Sequence, residues 1–150
     1  MKRAIARTTL VVAFATVFAL GIVSRAQAQA QGCSNDTLGG SSFGYTSTGT
    51  LLPIYAQHFA GPFAEVGTQS FNVNGNTQAT ATLSANGNIQ QVTIQGTYTV
   101  NPDCTGSMTL YVLPFQSTVH VYFVIDGGGA ELRAIVTDPG VVESRVYGKQ

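Results

Sequence analysis

Few residues of this 150-residue chain have the types and spacing that chemistry needs. Gly40-Ser41-Ser42-Phe43-Gly44 matches Gly-x-Ser-x-Gly, the strained turn that exposes a nucleophilic serine between a strand and a helix. Asp103 and His120 follow it in the chain order of a hydrolase triad. No helical pattern comes after Gly44, and Phe43 and Tyr45 alternate as in a strand, so the motif reads as a glycine-rich strand start. Two cysteines cannot build a Cys-rich zinc site, and no third ligand accompanies His58 and His120, so no metal is expected. Gly127-Gly128-Gly129 lacks a following helix whose dipole would hold an anion, and reads as a hairpin turn. Asp103 reads as the turn residue of Asn-Pro-Asp, and Glu65 stands alone. Asn35-Asp36-Thr37 fits the N-glycosylation pattern. No catalytic residue and no cofactor is expected.

Two groupings point to binding instead. His120, Tyr122 and Asp126 share one face of a strand, Glu131 and Arg133 a face of the next, and Glu143, Arg145 and Tyr147 a face of the last. Aligned, they would form a patch for a polar ligand or for acid–base work. The plainer reading is a solvent face with cross-strand ion pairs, each worth at most about 1 kcal/mol. The other grouping is aromatic and small: Phe43, Tyr45, Phe71, Ala79, Ala81, Gly96 and Tyr98 fall on inward positions and leave room for a small apolar molecule. The candidate ligand-binding residues are therefore Phe43, Tyr45, Phe71, Tyr98, His120, Tyr122, Arg133 and Arg145.

The elements that must position them are strands. Period-two alternation runs over 42–49, over 65–73 with Gly67, Gln69, Phe71 and Val73 on one face, and over 78–85. It returns over 91–100, at Met108, Leu110 and Val112, over 118–126, and in a last hairpin of 130–137 and 141–147. Asn74-Gly75-Asn76 and Asn86-Gly87-Asn88 are hairpin signals, since Asn and Gly tolerate positive φ. The strongest helical stretch, 52–63, is restricted by Pro53, Gly61 and Pro62 to a loop or one turn. Eight short strands joined by tight turns predict an all-β fold, an antiparallel up-and-down barrel with a β-sandwich as the alternative. Closing the barrel removes exposed sheet edges, and eight strands leave an interior filled by side chains or holding one small ligand.

The N-terminus reads as an address. Lys2, Arg3 and Arg7 precede an apolar run from Thr8 to Val23, and Ala26-Gln27-Ala28 and Ala28-Gln29-Ala30 fit the small-x-small cleavage rule. Residues 1–30 read as a secretory signal peptide and 31–150 as one domain, secreted or periplasmic, with no further stretch apolar enough to span a membrane. A lipid anchor on Cys33 lacks the usual leucine three residues earlier. Cleavage near Ala28 or Ala30 would leave three basic residues, Arg133, Arg145 and Lys149, against seven acids, a net charge of −4. That excludes the clustered Lys and Arg that displace counterions from nucleic acid. In an oxidising compartment Cys33 and Cys104 are expected to pair. Only 9% of the chain is charged, against roughly 25% in an average domain, so Thr and Gln must solvate the sheet.

The block Gly96-Thr97-Tyr98-Thr99-Val100-Asn101-Pro102-Asp103-Cys104-Thr105-Gly106, with Phe71-Asn72-Val73-Asn74-Gly75-Asn76, Phe123-Val124-Ile125-Asp126 and Thr137-Asp138-Pro139-Gly140, resembles a group of small secreted bacterial hypothetical proteins. The resemblance covers most of the chain from Cys33 onward. It implies secretion and a compact β fold, and carries no catalytic residue with it. More loosely, the short meander looks like calycin-type barrels such as lipocalins, avidins and allene oxide cyclase. The Trp of avidin-type sites and the lipocalin Gly-x-Trp signature are both absent. The expected function is a non-enzymatic binding or extracellular structural role. The alternatives are a carrier of a small apolar ligand in the barrel interior, or a cyclase- or isomerase-like enzyme using the same cavity.

Overall fold

Alternation of buried and exposed residues organises the computed structural model, which describes residues 32–56, 58–113 and 115–150; the secretory-signal reading falls on residues outside these. A four-residue helix, α1 (Asn35–Leu38), precedes eight strands: β1 (Ser41–Leu51), β2 (Gly61–Phe71), β3 (Asn76–Ala85), β4 (Asn88–Val100), β5 (Thr105–Leu113), β6 (Ser117–Asp126), β7 (Glu131–Val136) and β8 (Val141–Lys149). Each strand pairs antiparallel with its neighbour in sequence, and β8 returns to β1 from Phe43↔Lys149 to Leu51↔Val141. The sheet is therefore a closed up-and-down barrel, not a sandwich. Closure also lengthens strands beyond their alternating stretches. β2 begins at Gly61 because Gly61 to Ala64 pair with Thr48 to Leu51.

The lumen is filled from all sides. Phe43, Phe71, Tyr98, Met108, Leu110, Phe123, Leu132 and Tyr147 point inward, while Thr80, Thr82, Thr93, Thr97 and Thr99 face out. The interior is apolar apart from Ser47, Glu65, Gln69, Thr77, Glu143 and Arg145, which are buried as well. Two inward glycines mark close approaches of neighbouring backbone. A Cβ on Gly49 would lie 1.9 Å from the Val142 carbonyl oxygen, and one on Gly96 2.1 Å from that of Thr109. Strands bend at such positions because no side chain fits there. Val73 leaves the inner face expected of it and is 59% exposed. β2 stops at Phe71, and the Asn72 side chain then accepts from the backbone N–H groups of Asn74 and Asn76 (3.0 Å each), an Asx turn that redirects the chain.

One end of the barrel is sealed by α1, whose Leu38 is fully buried. Asn35 ties the helix down: its Oδ1 accepts from the Val100 backbone N–H (2.9 Å), and its carbonyl lies 3.1 Å from the Tyr98 hydroxyl. Ser34 N–H donates to Thr37 Oγ1 (3.1 Å). The Asn35-Asp36-Thr37 tripeptide is thus committed to holding this end closed. Cys33 and Cys104 form a disulfide at the same end, with Cα atoms 4.9 Å apart. The opposite end, the mouth, carries the β1–β2 connection and the β3–β4, β5–β6 and β7–β8 turns.

Candidate functional site

A polar layer crosses the lumen below the mouth. It arises from register. On β1 and β8, Tyr45 stands opposite Tyr147, Ser47 opposite Arg145 and Gly49 opposite Glu143, and on β2 Glu65 stands opposite Ser47. The inward parity of β1 is set by Phe43 and Tyr45, so its partners at these levels point inward too. All five polar residues around Tyr45 are buried; Arg145 is 3% exposed and Tyr147 0%.

The layer is only partly hydrogen-bonded. The Tyr45 hydroxyl donates to Glu65 Oε1, and Arg145 Nε donates to Glu143 Oε1. Tyr45 and Tyr147 stack with centroids 5.1 Å apart, and the Arg145 guanidinium carbon lies 5.8 Å from the Tyr45 ring centroid. Three buried polar atoms here have no protein partner: Ser47 Oγ, Arg145 Nη1 and the Tyr147 hydroxyl. Buried polar groups are almost always satisfied, so three in one layer is unusual. One level toward α1, Gln69 Nε2 donates to Thr77 Oγ1 (2.9 Å) and its Oε1 is also unpartnered.

Charge in the layer is unevenly held. Burial pushes the Glu65 carboxyl above its ordinary range, opposed by the Arg145 charge and the Tyr45 hydrogen bond and reinforced by Glu143. Burial, then the charge of Glu65, raises the Tyr45 phenol. Burial also raises Tyr147, against the pull of Arg145. For Arg145 burial favours the neutral form, but the surrounding Tyr147, Glu143, Glu65 and Tyr45 outweigh it and hold the guanidinium charged.

Above this layer the lumen turns apolar again. Phe63, Leu83 and Ala85 form a cluster separate from the main core, with Leu51 and Phe59 packed on it. A recess of about 340 Å³ opens at this end, lined by Leu51, Tyr55, Phe59, Leu83, Ala85 and Phe115, with His58 at its side. Phe59 and Phe115 face each other at 5.7 Å between centroids. Tyr55 packs against the main core at this end. It lines the recess, and burial raises its phenol.

The structure divides the eight residues proposed from sequence among three places. Phe43, Phe71 and Tyr98 fill the α1 end with edge-to-face rings, 5.5 Å and 5.1 Å between centroids. Tyr45 and Arg145 belong to the luminal layer. His120, Tyr122 and Arg133 lie on the outer wall. There the His120 backbone N–H and Nδ1 bond Asp138 (2.6 and 2.8 Å), and Arg133 Nε donates to Asp126 (2.6 Å).

The expected single C-terminal patch is therefore corrected. Glu143, Arg145 and Tyr147 do not continue the His120–Arg133 face; they point into the barrel, and Val142 and Val146 take the outer wall, 63% and 50% exposed. Nor does Glu65 stand alone, since it bonds Tyr45 beside Arg145. Asp103 does act as a turn residue: its Oδ1 accepts from the Thr105 N–H (3.0 Å) and hydroxyl (2.7 Å), which lowers its carboxyl pKa. Sequence reasoning missed Ser47, Glu65, Tyr55 and Phe59. Glu65 had a signal, because it shares parity with Gly67, Gln69 and Phe71 on the inward face. Among the described residues no three His, Cys, Asp or Glu side chains converge as a metal site, and no helix is long and apolar enough to cross a membrane.

The class this geometry defines is the closed eight-stranded antiparallel barrel. Among solved structures it is similar to that of a redesigned beta barrel, with a TM-score of 0.54, 12% sequence identity, and coverage of 77% of this chain and 94% of that one. At that identity the likeness concerns fold alone. No family model matches the chain, and no curated protein matches it.

Proposed function

We propose that the protein is a secreted, non-enzymatic β-barrel that binds a small apolar molecule at the mouth opposite α1. The observation that carries this reading is the 340 Å³ recess walled by Leu51, Phe59, Leu83, Ala85 and Phe115. Concave, mostly apolar sites beside a few polar groups are the usual form of small-ligand pockets, and barrel mouths are a common place for them. The reading moves the carrier idea from the barrel centre to its rim, because Phe43, Phe71 and Tyr98 fill the α1 end. The Cys33–Cys104 disulfide is consistent with an extracellular or periplasmic location. The resemblance to small secreted bacterial proteins supports the same setting.

Titration with N-phenylnaphthylamine, a neutral dye that brightens in apolar surroundings, tests the reading. Saturable brightening at one site, weakened by Phe59→Ser, is expected. Brightening that is absent, or that Phe59→Ser and Leu83→Ser leave unchanged, overturns it.

An acid–base enzyme of cyclase or isomerase type is the second reading. It is favoured by one feature, the Tyr45–Glu65 pair of phenol and raised carboxyl. Turnover abolished by Glu65→Gln would replace binding as the function.

A further inference from the structure

We propose that the luminal polar layer receives the head of the molecule bound at the mouth, and that this head is an uncharged hydrogen-bond acceptor, a carbonyl at the end of an apolar body. The inference rests on the mouth-binding reading and names its ligand class.

Three observations converge. First, the Arg145 Nη1 and the Ser47 hydroxyl are buried donors with no protein partner, and the Tyr147 hydroxyl, which its neighbour Arg145 can approach only as a donor, has no acceptor for its own proton. Ser47 and Arg145 face each other across β1 and β8, and Tyr147 follows Arg145 on the same inward face. An acceptor placed among them recovers hydrogen bonds that these groups gave up on leaving water. Second, the cluster of Phe63, Leu83 and Ala85 lies on the mouth side of the layer, and Leu83 and Ala85 form part of the recess wall. Leu51 and Tyr55 line the recess and also pack against the core cluster to which Tyr45 and Tyr147 belong, so recess and layer lie on the same stretch of lumen. From Leu51 to Ser47 the wall of β1 descends four residues, about 13 Å at the usual rise per residue of a strand. A medium-length apolar chain covers that depth.

Third, the charges already present exclude the other head groups. Glu65 and Glu143 both stand by the single guanidinium of Arg145. A carboxylate head would add a third acid around one cation. An ammonium head would meet Arg145 itself, with Glu143 already engaged by Arg145 Nε. A carbonyl oxygen takes the free donors and brings no charge. Oxygen acceptors in such dry, donor-lined sites gain specificity because an analogue lacking the acceptor leaves the donors unpaired.

The test is displacement of N-phenylnaphthylamine by four molecules of similar length: methyl hexyl ketone, octanoate, octylamine and octane. The ketone is expected to bind about tenfold tighter than each of the others. Its carbonyl stretch in the infrared should fall on binding, as it does on accepting hydrogen bonds. In Ser47→Ala/Tyr147→Phe the ketone should lose that advantage over octane, and the stretch should return toward its value in hydrocarbon. Dye binding with octanoate, octylamine or octane matching the ketone overturns this proposal and leaves the mouth reading standing. So does a double variant that weakens all four equally. No dye binding at all overturns the mouth reading, and this one with it.

Discussion

Arg145 donates from Nε to the carboxylate of Glu143, two residues earlier on the same strand, and both side chains point into the barrel. Strand geometry sends alternate residues to one face, so the pair is fixed by β8 itself and by the β1 register beside it. Breaking such a pair leaves an uncompensated buried charge. Arg145→Met should destabilise the fold by about 3–5 kcal/mol at neutral pH. The loss should shrink in mild acid, where Glu65, its pKa raised by burial, takes up a proton. Replacing both members, Glu143→Leu with Arg145→Met, should restore most of the stability. Urea unfolding of the three proteins decides; a single variant as stable as the parent would remove the pair from any account of the fold.

Glu65 gives the layer a pH signature. Its folded-state pKa lies above the ordinary 4.5, mainly through burial. The folded protein therefore holds this proton more tightly than the unfolded chain. The stability from Glu65 is fully present below about 4.5 and is lost as pH rises through the folded-state value. Asp103 has the opposite sign, because hydrogen bonds from Thr105 lower its pKa. The clean measurement is thus a difference: Tm against pH for the parent and for Glu65→Gln. The parent should lose ground to the variant as pH rises above 4.5. Parallel curves would show that Glu65 titrates as it does in the unfolded chain.

The barrel was readable because its strands are locally consistent. Thr80 and Thr82 against Ala79, Ala81 and Leu83, or Thr97 and Thr99 against Tyr98 and Val100, announce both strand and inward face. β8 carries no such statement. Val141, Glu143, Arg145 and Tyr147 alternate with Val142, Ser144 and Val146, and polarity alone sends the charged set outward. Only pairing with Ser47 and Gly49 reverses that choice, and pairing is a non-local fact. The mouth was opaque for another reason. Its recess joins Phe59 of one connection to Phe115 of another, and no periodicity links residues on separate loops.

The disulfide bears on stability independently of the layer. Cys33 and Cys104 are 71 residues apart, and closing a loop of that length is worth about 4 kcal/mol in the chain-entropy description. Cys33→Ser/Cys104→Ser should lower unfolding free energy by roughly that amount. It should also speed hydrogen exchange at the Val100 amide, which bonds Asn35 next to the bridge. Unchanged exchange at Val100 with a large global loss would mean that the bridge acts through the unfolded chain alone.

Tyr98 offers the finest test of how the α1 end is sealed. Its hydroxyl lies 2.7 Å from the Asn72 carbonyl and 3.1 Å from the Asn35 carbonyl, so one phenol ties the β2–β3 turn to the helix. Its ring meanwhile packs edge-on against Phe71. Tyr98→Phe keeps the ring and removes only the donor, so it should cost about 1–2 kcal/mol. Asn35→Ala also strands the Val100 N–H, a backbone donor near the barrel end, and should cost at least as much. If the hydroxyl and Asn35 act through the same helix, the two losses should not add, since neighbours sharing a partner couple. A double variant whose loss equals the sum would show that Tyr98 serves the turn at Asn72 and that the helix is held by Asn35 and Leu38.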